Sequence, residues 1–177
     1  IMQIKIKEED LVLKISSSYN PNNFDLSKYE AFIDKLCWTR EYQKQAIKEA
    51  LIFLLGWRYN SLVDLARENF DNNEVLQEKH KKFSDFENKL QLKDKLSCSI
   101  DLATWTWKSY VIYGIAQIML CEWKIDKVLV LAPSVTIEEW LTSKFKTLAS
   151  DKDLKDLLPN DSAYKNPKII QATQTIE

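Results

Sequence analysis

The chain has 177 residues and a net charge of −1, with 45% hydrophobic and 29% charged residues. This composition is typical of a globular protein with one sizeable core, and it excludes a disordered chain. The near-neutral charge excludes a small basic protein that coats nucleic acid, but not a motor whose nucleic-acid path is one strip of surface.

Nothing in the sequence predicts a membrane-spanning or secreted protein. The longest apolar run, over residues 128–133, is too short to cross a membrane. The three cysteines lie far apart, which excludes metal-ligand spacing and predicts reduced thiols in a cytoplasmic protein. The single histidine, His80, stands in a charged run and is predicted to be a solvated helix residue.

The first half of the chain is predicted to be mainly helical after a short β-hairpin. Alternating polarity predicts a strand over residues 1–7, with residues 11–15 as its partner. Asp25 is the predicted N-cap of the first helix. Helices are predicted over residues 26–36, 61–68 and 73–90, the last of them highly charged and exposed. Apolar residues at helical spacing predict a further helix that is capped by Thr39 and runs through Phe53.

The second half alternates predicted strands with helices. The continuous apolar run over residues 127–132 is typical of a strand buried on both faces of a parallel sheet. Strands are also predicted over residues 95–101 and 168–173, and helices over 109–121 and 136–148. This order predicts an α/β fold. The predicted core of this part is Ile100, Val111, Ile112, Ile115, Ile118, Val128, Val130, Leu131 and Ile169.

These patterns divide the chain into three parts. Residues 1–24 form the hairpin and a loop, residues 25–92 a helical region, and residues 93–177 a partial α/β domain.

Residues 101–109 join a predicted strand to a predicted helix, which is the context of a phosphate-binding loop. In such a loop, backbone N–H groups at the helix N-terminus cradle phosphate oxygens. Lys108 would reach the β and γ phosphates of ATP, and the Ser109 hydroxyl would ligate Mg²⁺. The loop itself would consist of Thr104, Trp105, Thr106 and Trp107.

Trp105 and Trp107 stand where such a loop needs glycine. An ordinary strand–turn–helix with two packed aromatic side chains is therefore an open alternative. Indoles at these positions would occupy the space of the phosphates, so the chain as written is expected not to bind ATP.

With glycine at those two positions, residues 101–109 resemble motif I of superfamily 2 helicases, and in particular of the restriction subunits of type III restriction–modification enzymes. Residues 39–47 are similar to the adenine-sensing motif of that family, with Gln43 as its glutamine. Residues 128–139 resemble motif Ia. The order of the motifs also agrees, and the resemblance covers about residues 36–175.

The resemblance implies a truncated RecA-like, P-loop domain that binds ATP and Mg²⁺. In the full-length hydrolase, ATP hydrolysis would drive translocation along DNA beside a modification methyltransferase subunit. Gln43 would read adenine, with Arg40 or Tyr42 flanking the base. The residues expected near the DNA backbone are Pro133, Ser134 and Thr136. Two alternatives remain open: another superfamily 2 helicase, and an inactive P-loop-derived interaction module.

The acidic box that a P-loop motor needs for hydrolysis is missing from the sequence. The acidic stretch over residues 151–156 follows no buried strand and is predicted to be a solvated helix face. The 177 residues are therefore expected to be an N-terminal fragment that, with glycine restored at positions 105 and 107, binds nucleotide without turning it over.

The tryptophans are the unusual feature of the composition. The chain has six tryptophans and two glycines, whereas average usage gives roughly twelve glycines. Each tryptophan stands at a position that local structure or the family pattern assigns to glycine. Our hypothesis is that UGA codons, which some bacterial lineages read as glycine, are translated here as tryptophan; the alternative is a tryptophan-rich, inactive homologue. The positions are Trp38, Trp57, Trp105, Trp107, Trp123 and Trp140.

Overall fold

The structure, a computed structural model, describes residues 12–102 and 108–171. Helices account for 54% of these residues, and none of the described residues forms a strand. The prediction of an α/β, RecA-like parallel sheet is therefore wrong for the described chain, which is helical.

The helices lie close to most of the predicted positions. A 3₁₀ turn over Leu26–Tyr29 leads into the first α-helix, and the Asp25 side chain caps that turn by accepting from the Ser27 N–H. The α-helices are α1 (Glu30–Cys37), α2 (Glu41–Leu55), α3 (Leu62–Asp71), α4 (Glu74–His80), α5 (Phe83–Glu87), α6 (Lys108–Cys121), α7 (Val135–Ser150) and α8 (Lys152–Lys155).

The predicted strands are wrong wherever the structure describes them. Residues 127–132 form neither helix nor strand, and Leu129 and Leu131 are 82% and 83% exposed. Residues 95–101 and 168–171 likewise form neither helix nor strand. An apolar run indicates side chains that favour burial, but a strand also needs a neighbouring backbone, and these segments do not supply one to each other.

Several predicted core residues are consequently exposed. Val111 and Ile118 on α6 are buried, as predicted. Ile100, Ile112, Val128 and Leu131 are instead exposed, because the sheet that would have covered them is absent from the described residues.

The predicted hairpin is not formed where it can be followed. Residues 1–11 lie outside the described residues, and residues 12–15 form no strand. Their backbone is held by side chains instead: Lys14 N–H donates to Asn69 Oδ1 at 2.7 Å, and Asn69 Nδ2 donates to the Lys14 carbonyl at 2.9 Å. One buried amide thus binds both backbone groups of Lys14.

The predicted helix over residues 73–90 is two helices. Lys81 adopts a positive φ of 53°, which ends α4, and α5 begins at Phe83. The break turns His80 inward against Phe86, with ring centroids 5.0 Å apart. His80 is 7% exposed, so the prediction of a solvated histidine is wrong.

The chain divides into two compact units. Among the described residues, the first unit comprises residues 12–24 and 52–100, and the second comprises 25–51, 101–102 and 108–171. The core of the first unit contains two clusters of buried side chains from α2 to α5 and the loops between them. These are Phe53, Tyr59 and Leu65, and Ala66, Phe70, Leu76 and Phe86.

The second unit packs α6 closely against α1 and α2. A Cβ atom at Gly114 would lie 2.8 Å from Ile47 Cδ1 and 2.9 Å from Leu36 Cδ2. Glycine therefore allows α6 to approach the other two helices at this point. Ile33, Leu36, Ile47, Leu51 and Ile118 are almost completely buried in this unit.

Three of the tryptophans adopt a backbone conformation that favours glycine. The φ angles of Trp38, Trp57 and Trp123 are 53°, 59° and 56°. Lys81 and Leu92 share this region, so it is not confined to tryptophan. Trp140 lies inside α7, where the backbone is helical.

Candidate functional site

The first part of the site is the turn that leads from α1 into α2. Trp38 N–H donates to the Asp34 carbonyl at 2.7 Å, and Arg40 N–H donates to the Cys37 carbonyl at 3.1 Å. With φ 53° and ψ −116°, Trp38 has the dihedral angles of the first central residue of a type II′ turn. This tight turn places Arg40 directly before α2.

Gln43, in the first turn of α2, is fully buried. Its Oε1 accepts a hydrogen bond from Arg40 Nε at 2.9 Å. Tyr42 lies on the outer side of the same turn and is 44% exposed. Of the two residues predicted to flank a base, Arg40 is the one that is joined to Gln43.

The second part of the site is the first turn of α6, which begins at Lys108. Lys108 is exposed and is the first described residue of α6, and residues 103–107 before it lie outside the described residues. Ser109 is 2% exposed, and its Oγ has no hydrogen-bond partner among the described residues. The first described turn of α6 contains no acidic residue.

Tyr110 joins the two parts. The guanidinium carbon of Arg40 lies 4.9 Å from the centre of the Tyr110 ring. The Lys144 ammonium, which comes from α7, lies 4.6 Å from the same centre. Both distances are typical of cation–π contacts. Residues of α2, α6 and α7 therefore meet at one aromatic ring, two positions after Lys108.

Packing between α6 and α7 determines where Lys144 lies. Phe145 on α7 contacts Tyr113 on α6, with ring centroids 5.8 Å apart. Tyr110 and Tyr113 are three residues apart on α6 and so lie on one side of that helix. Because Lys144 directly precedes Phe145 in α7, the same packing places Lys144 beside the first turn of α6.

The residues predicted to contact DNA all lie at the N-terminal end of α7. Pro133, Ser134 and Thr136 are exposed. Ser134 is the N-cap of α7, and its Oγ accepts from the Ile137 N–H at 3.4 Å. The predicted loop residues Thr104, Trp105, Thr106 and Trp107 lie outside the described residues.

Sequence reasoning missed two residues of this arrangement. Tyr110 follows directly on the predicted phosphate-loop residues, and its position in the first turn of the helix was the available signal. Lys144 carries no such signal, because only the packing of α7 against α6 brings it to the ring.

The thiol nearest this arrangement is not a reactive group. Cys37 ends α1 and is completely buried. Burial raises the pKa of the Cys37 thiol to about 11, with Arg40 and Lys44 opposing the shift. The thiol is therefore protonated at neutral pH, which does not suit a nucleophile.

The described residues offer few metal ligands. They contain no group of three or more His, Cys, Asp or Glu side chains placed to hold a metal ion. The buried, unpartnered Ser109 hydroxyl fits a single oxygen ligand for Mg²⁺. Such an ion usually takes its other ligands from phosphate and water.

Searches of protein-family models, curated proteins and solved structures found no match to this chain. Among the described residues, no helix combines the length and the apolar character that spanning a membrane requires.

Proposed function

We propose that this chain is the ATP-binding part of a DNA helicase or translocase of superfamily 2, most similar to the restriction subunit of type III restriction–modification enzymes. The full-length protein would couple ATP hydrolysis to movement along DNA in the cytoplasm, beside a modification methyltransferase subunit. The proposal rests on the residues of the candidate site and not on a parallel sheet.

The observation that carries the proposal is the meeting of two separate motifs. Arg40 and Gln43 belong to the proposed adenine-sensing motif, whereas Tyr110 follows the proposed phosphate-binding lysine. Arg40 and Tyr110 are 70 positions apart in the sequence, yet Arg40 contacts both Gln43 and Tyr110. A site for a nucleotide needs groups for the base and for the phosphates within reach of one molecule.

Each residue has a distinct role in this proposal. The α6 N-terminus and Lys108 attract the negatively charged phosphates. The Ser109 hydroxyl would hold Mg²⁺, which neutralises phosphate charge when bound. Gln43 would recognise the base, and Arg40 holds the amide oxygen of Gln43 in place.

The proposal is tested by restoring glycine at the loop. The Trp105→Gly/Trp107→Gly double variant should bind ATP, because glycine frees the space and the dihedral angles that a phosphate loop needs. ATP at about a hundredfold excess over Kd should raise its melting temperature by roughly 5–10 °C. Differential scanning fluorimetry measures the shift, and calorimetry gives the affinity.

Lys108→Ala in the same background is the matched control and should abolish the shift. The unsubstituted chain should show none. If the double variant folds but shows no ATP-dependent shift, the nucleotide-binding proposal is wrong and an interaction module is favoured.

A further inference from the structure

The break between α4 and α5 carries a group of positively charged side chains. Because α4 ends at His80 and α5 begins at Phe83, Lys81 and Lys82 occupy this break. It lies within the first unit. The basic patch consists of the exposed cations of α3, α4, the break and the segment after α5, namely Arg67, Lys79, Lys81, Lys82 and Lys89.

Aromatic rings fix the arginine of the patch beside the break. The guanidinium carbon of Arg67 lies 3.9 Å from the centre of the Phe83 ring, which is a cation–π contact. The centroid of the Phe83 ring lies 6.4 Å from that of Phe86, and His80 stacks on Phe86 at 5.0 Å. Arg67 and the end of α4 therefore adjoin one aromatic cluster.

Two of the lysines lie close to the same cluster. Burial lowers the pKa of His80, the charges of Lys89 and Lys79 lower it further, and Asp85 opposes the shift. The Lys89 N–H also donates to the Phe86 carbonyl at 3.0 Å, directly after α5. Residues of α3, α4 and α5 thus bring these cations together in the folded unit.

The cations of the patch are not neutralised by ion pairs. Within the part of the chain that the structure describes, none of them forms a salt bridge. Glu68 and Glu87 are each engaged by another cation at 2.9 Å. Asp64 and Glu74 lie in the first turns of their helices, where they offset the helix dipoles. The exposed acids that remain in α3 to α5 are fewer than the cations of the patch: Asp71, Glu78 and Asp85.

The surroundings of the patch favour a purely electrostatic partner. Over residues 58–91, all of which the structure describes, no large hydrophobic side chain is exposed. A basic surface that binds lipid also inserts apolar side chains, and a protein interface has an apolar centre. Lysine ammonium groups suit phosphate as point charges, and contacts to phosphate carry no sequence information. The backbone of a nucleic acid therefore fits this surface best.

We propose that the basic patch binds the phosphate backbone of double-stranded DNA without reading its sequence. The inference rests on the proposed function for the identity of the partner, but it needs no bound nucleotide. The predicted DNA contacts at Pro133, Ser134 and Thr136 belong to the second unit. The first unit would therefore have a DNA contact of its own.

The experiment measures binding of the unsubstituted 177-residue chain to a short fluorescent DNA duplex by anisotropy, without ATP. Between about 50 and 200 mM salt, log Kd should rise with log salt concentration with a slope of about 3–4, since each phosphate contact contributes about 0.9. Replacing Lys79, Lys81 and Lys82 together by Gln should lower this slope by about 2–3 and weaken binding about tenfold or more at the lowest salt.

The matched control removes the same charge from exposed lysines of the second unit. Replacing Lys28, Lys146 and Lys152 together by Gln should weaken binding by less than about twofold, because salt screens charges distant from the duplex. Circular dichroism of both triple variants shows whether their helices are intact.

Three results would overturn the proposal. The first is no binding of the duplex at the lowest salt, and the second is equal weakening by the two triple variants, which would show that binding follows net charge alone. The third is tighter binding of duplex RNA or of polyglutamate than of the DNA duplex, which would assign the patch to another partner. None of these results bears on ATP binding by the Trp105→Gly/Trp107→Gly variant, so the two proposals fail separately.

Discussion

Trp38, Trp57 and Trp123 have the backbone angles of glycine and side chains that bury little surface. They are 74%, 68% and 69% exposed. Trp123 also donates to the Leu120 carbonyl at 3.4 Å, which is one of the two hydrogen bonds of a Schellman helix end, where glycine is the usual residue. These residues support the hypothesis that the positions encode glycine, whereas the helical Trp140 gives it no backbone support.

Trp→Gly at positions 38, 57 and 123 should each stabilise the fold. A Cβ atom in the left-handed region costs roughly 1–2 kcal/mol, and the greater freedom of unfolded glycine cancels part of the gain. We expect up to about 1 kcal/mol at each site, or roughly 2–4 °C in melting temperature. Thermal unfolding by circular dichroism measures this change.

Two controls separate backbone strain from loss of the indole. Trp→Ala at the same three positions retains the Cβ atom and should give none of the gain. Trp140→Gly should destabilise α7, because glycine is a poor residue within a helix. A loss of stability in all three Trp→Gly variants would contradict the glycine hypothesis, and so would UGG codons at these positions.

The pair of helices α4 and α5 depends on a neutral histidine. His80 ends α4 and stacks on Phe86 of α5 at 5.0 Å. Burial lowers the pKa of His80 below its usual 6.5, and the nearby Lys89 and Lys79 lower it further. Because the folded state disfavours protonated His80, its contribution to stability is complete above pH 6.5 and is lost as the pH falls below 6.5 toward the folded pKa.

The packing of α4 on α5 should therefore weaken in mild acid. We expect the free energy of unfolding to fall as the pH is lowered from 7.5 to 5.5. Protonation of His80 in the unfolded state accounts for part of this fall. His80→Phe keeps an aromatic ring against Phe86 and removes the titrating group, so its stability should depend less on pH over this range. Urea unfolding at several pH values gives both slopes, and equal slopes would contradict this role of His80.

At the scale of the whole molecule, the segment over residues 127–132 is an exposed apolar surface. Leu129 and Leu131 are two residues apart in this segment, which forms neither helix nor strand. Both are more than four-fifths exposed, and the described residues offer no strand to pair with them. Apolar extended segments with unpaired backbone groups promote association between molecules.

Leu129→Lys together with Leu131→Lys should increase the monomer fraction at high concentration and leave the melting temperature almost unchanged. Size-exclusion chromatography with light scattering measures the first effect, and thermal unfolding the second. Ile118→Lys, at a fully buried position of α6, should unfold the second unit and serves as the contrast. A drop of many degrees in the double variant would mean that these leucines are buried in the folded protein.

The sequence by itself determined most of the helices, including the one over residues 109–121. Helix formation depends on neighbours three and four residues apart and on local caps. The residues that determine a helix are therefore close to one another in the sequence. Glycine-like positions were predictable for the same reason, because a helix end dictates the φ angle of the residue that follows it.

Only the tertiary structure decided whether the apolar segments become strands and which side chains meet. The run over residues 127–132 has the composition of a buried strand, but a sheet needs a partner backbone that lies far away in the sequence. The meeting of Arg40, Tyr110 and Lys144 likewise depends on how α2, α6 and α7 pack. The spacing of residues along one segment does not predict contacts between side chains of different helices. Here these contacts are set by the close approach of helices at Gly114 and by the packing of Tyr113 against Phe145.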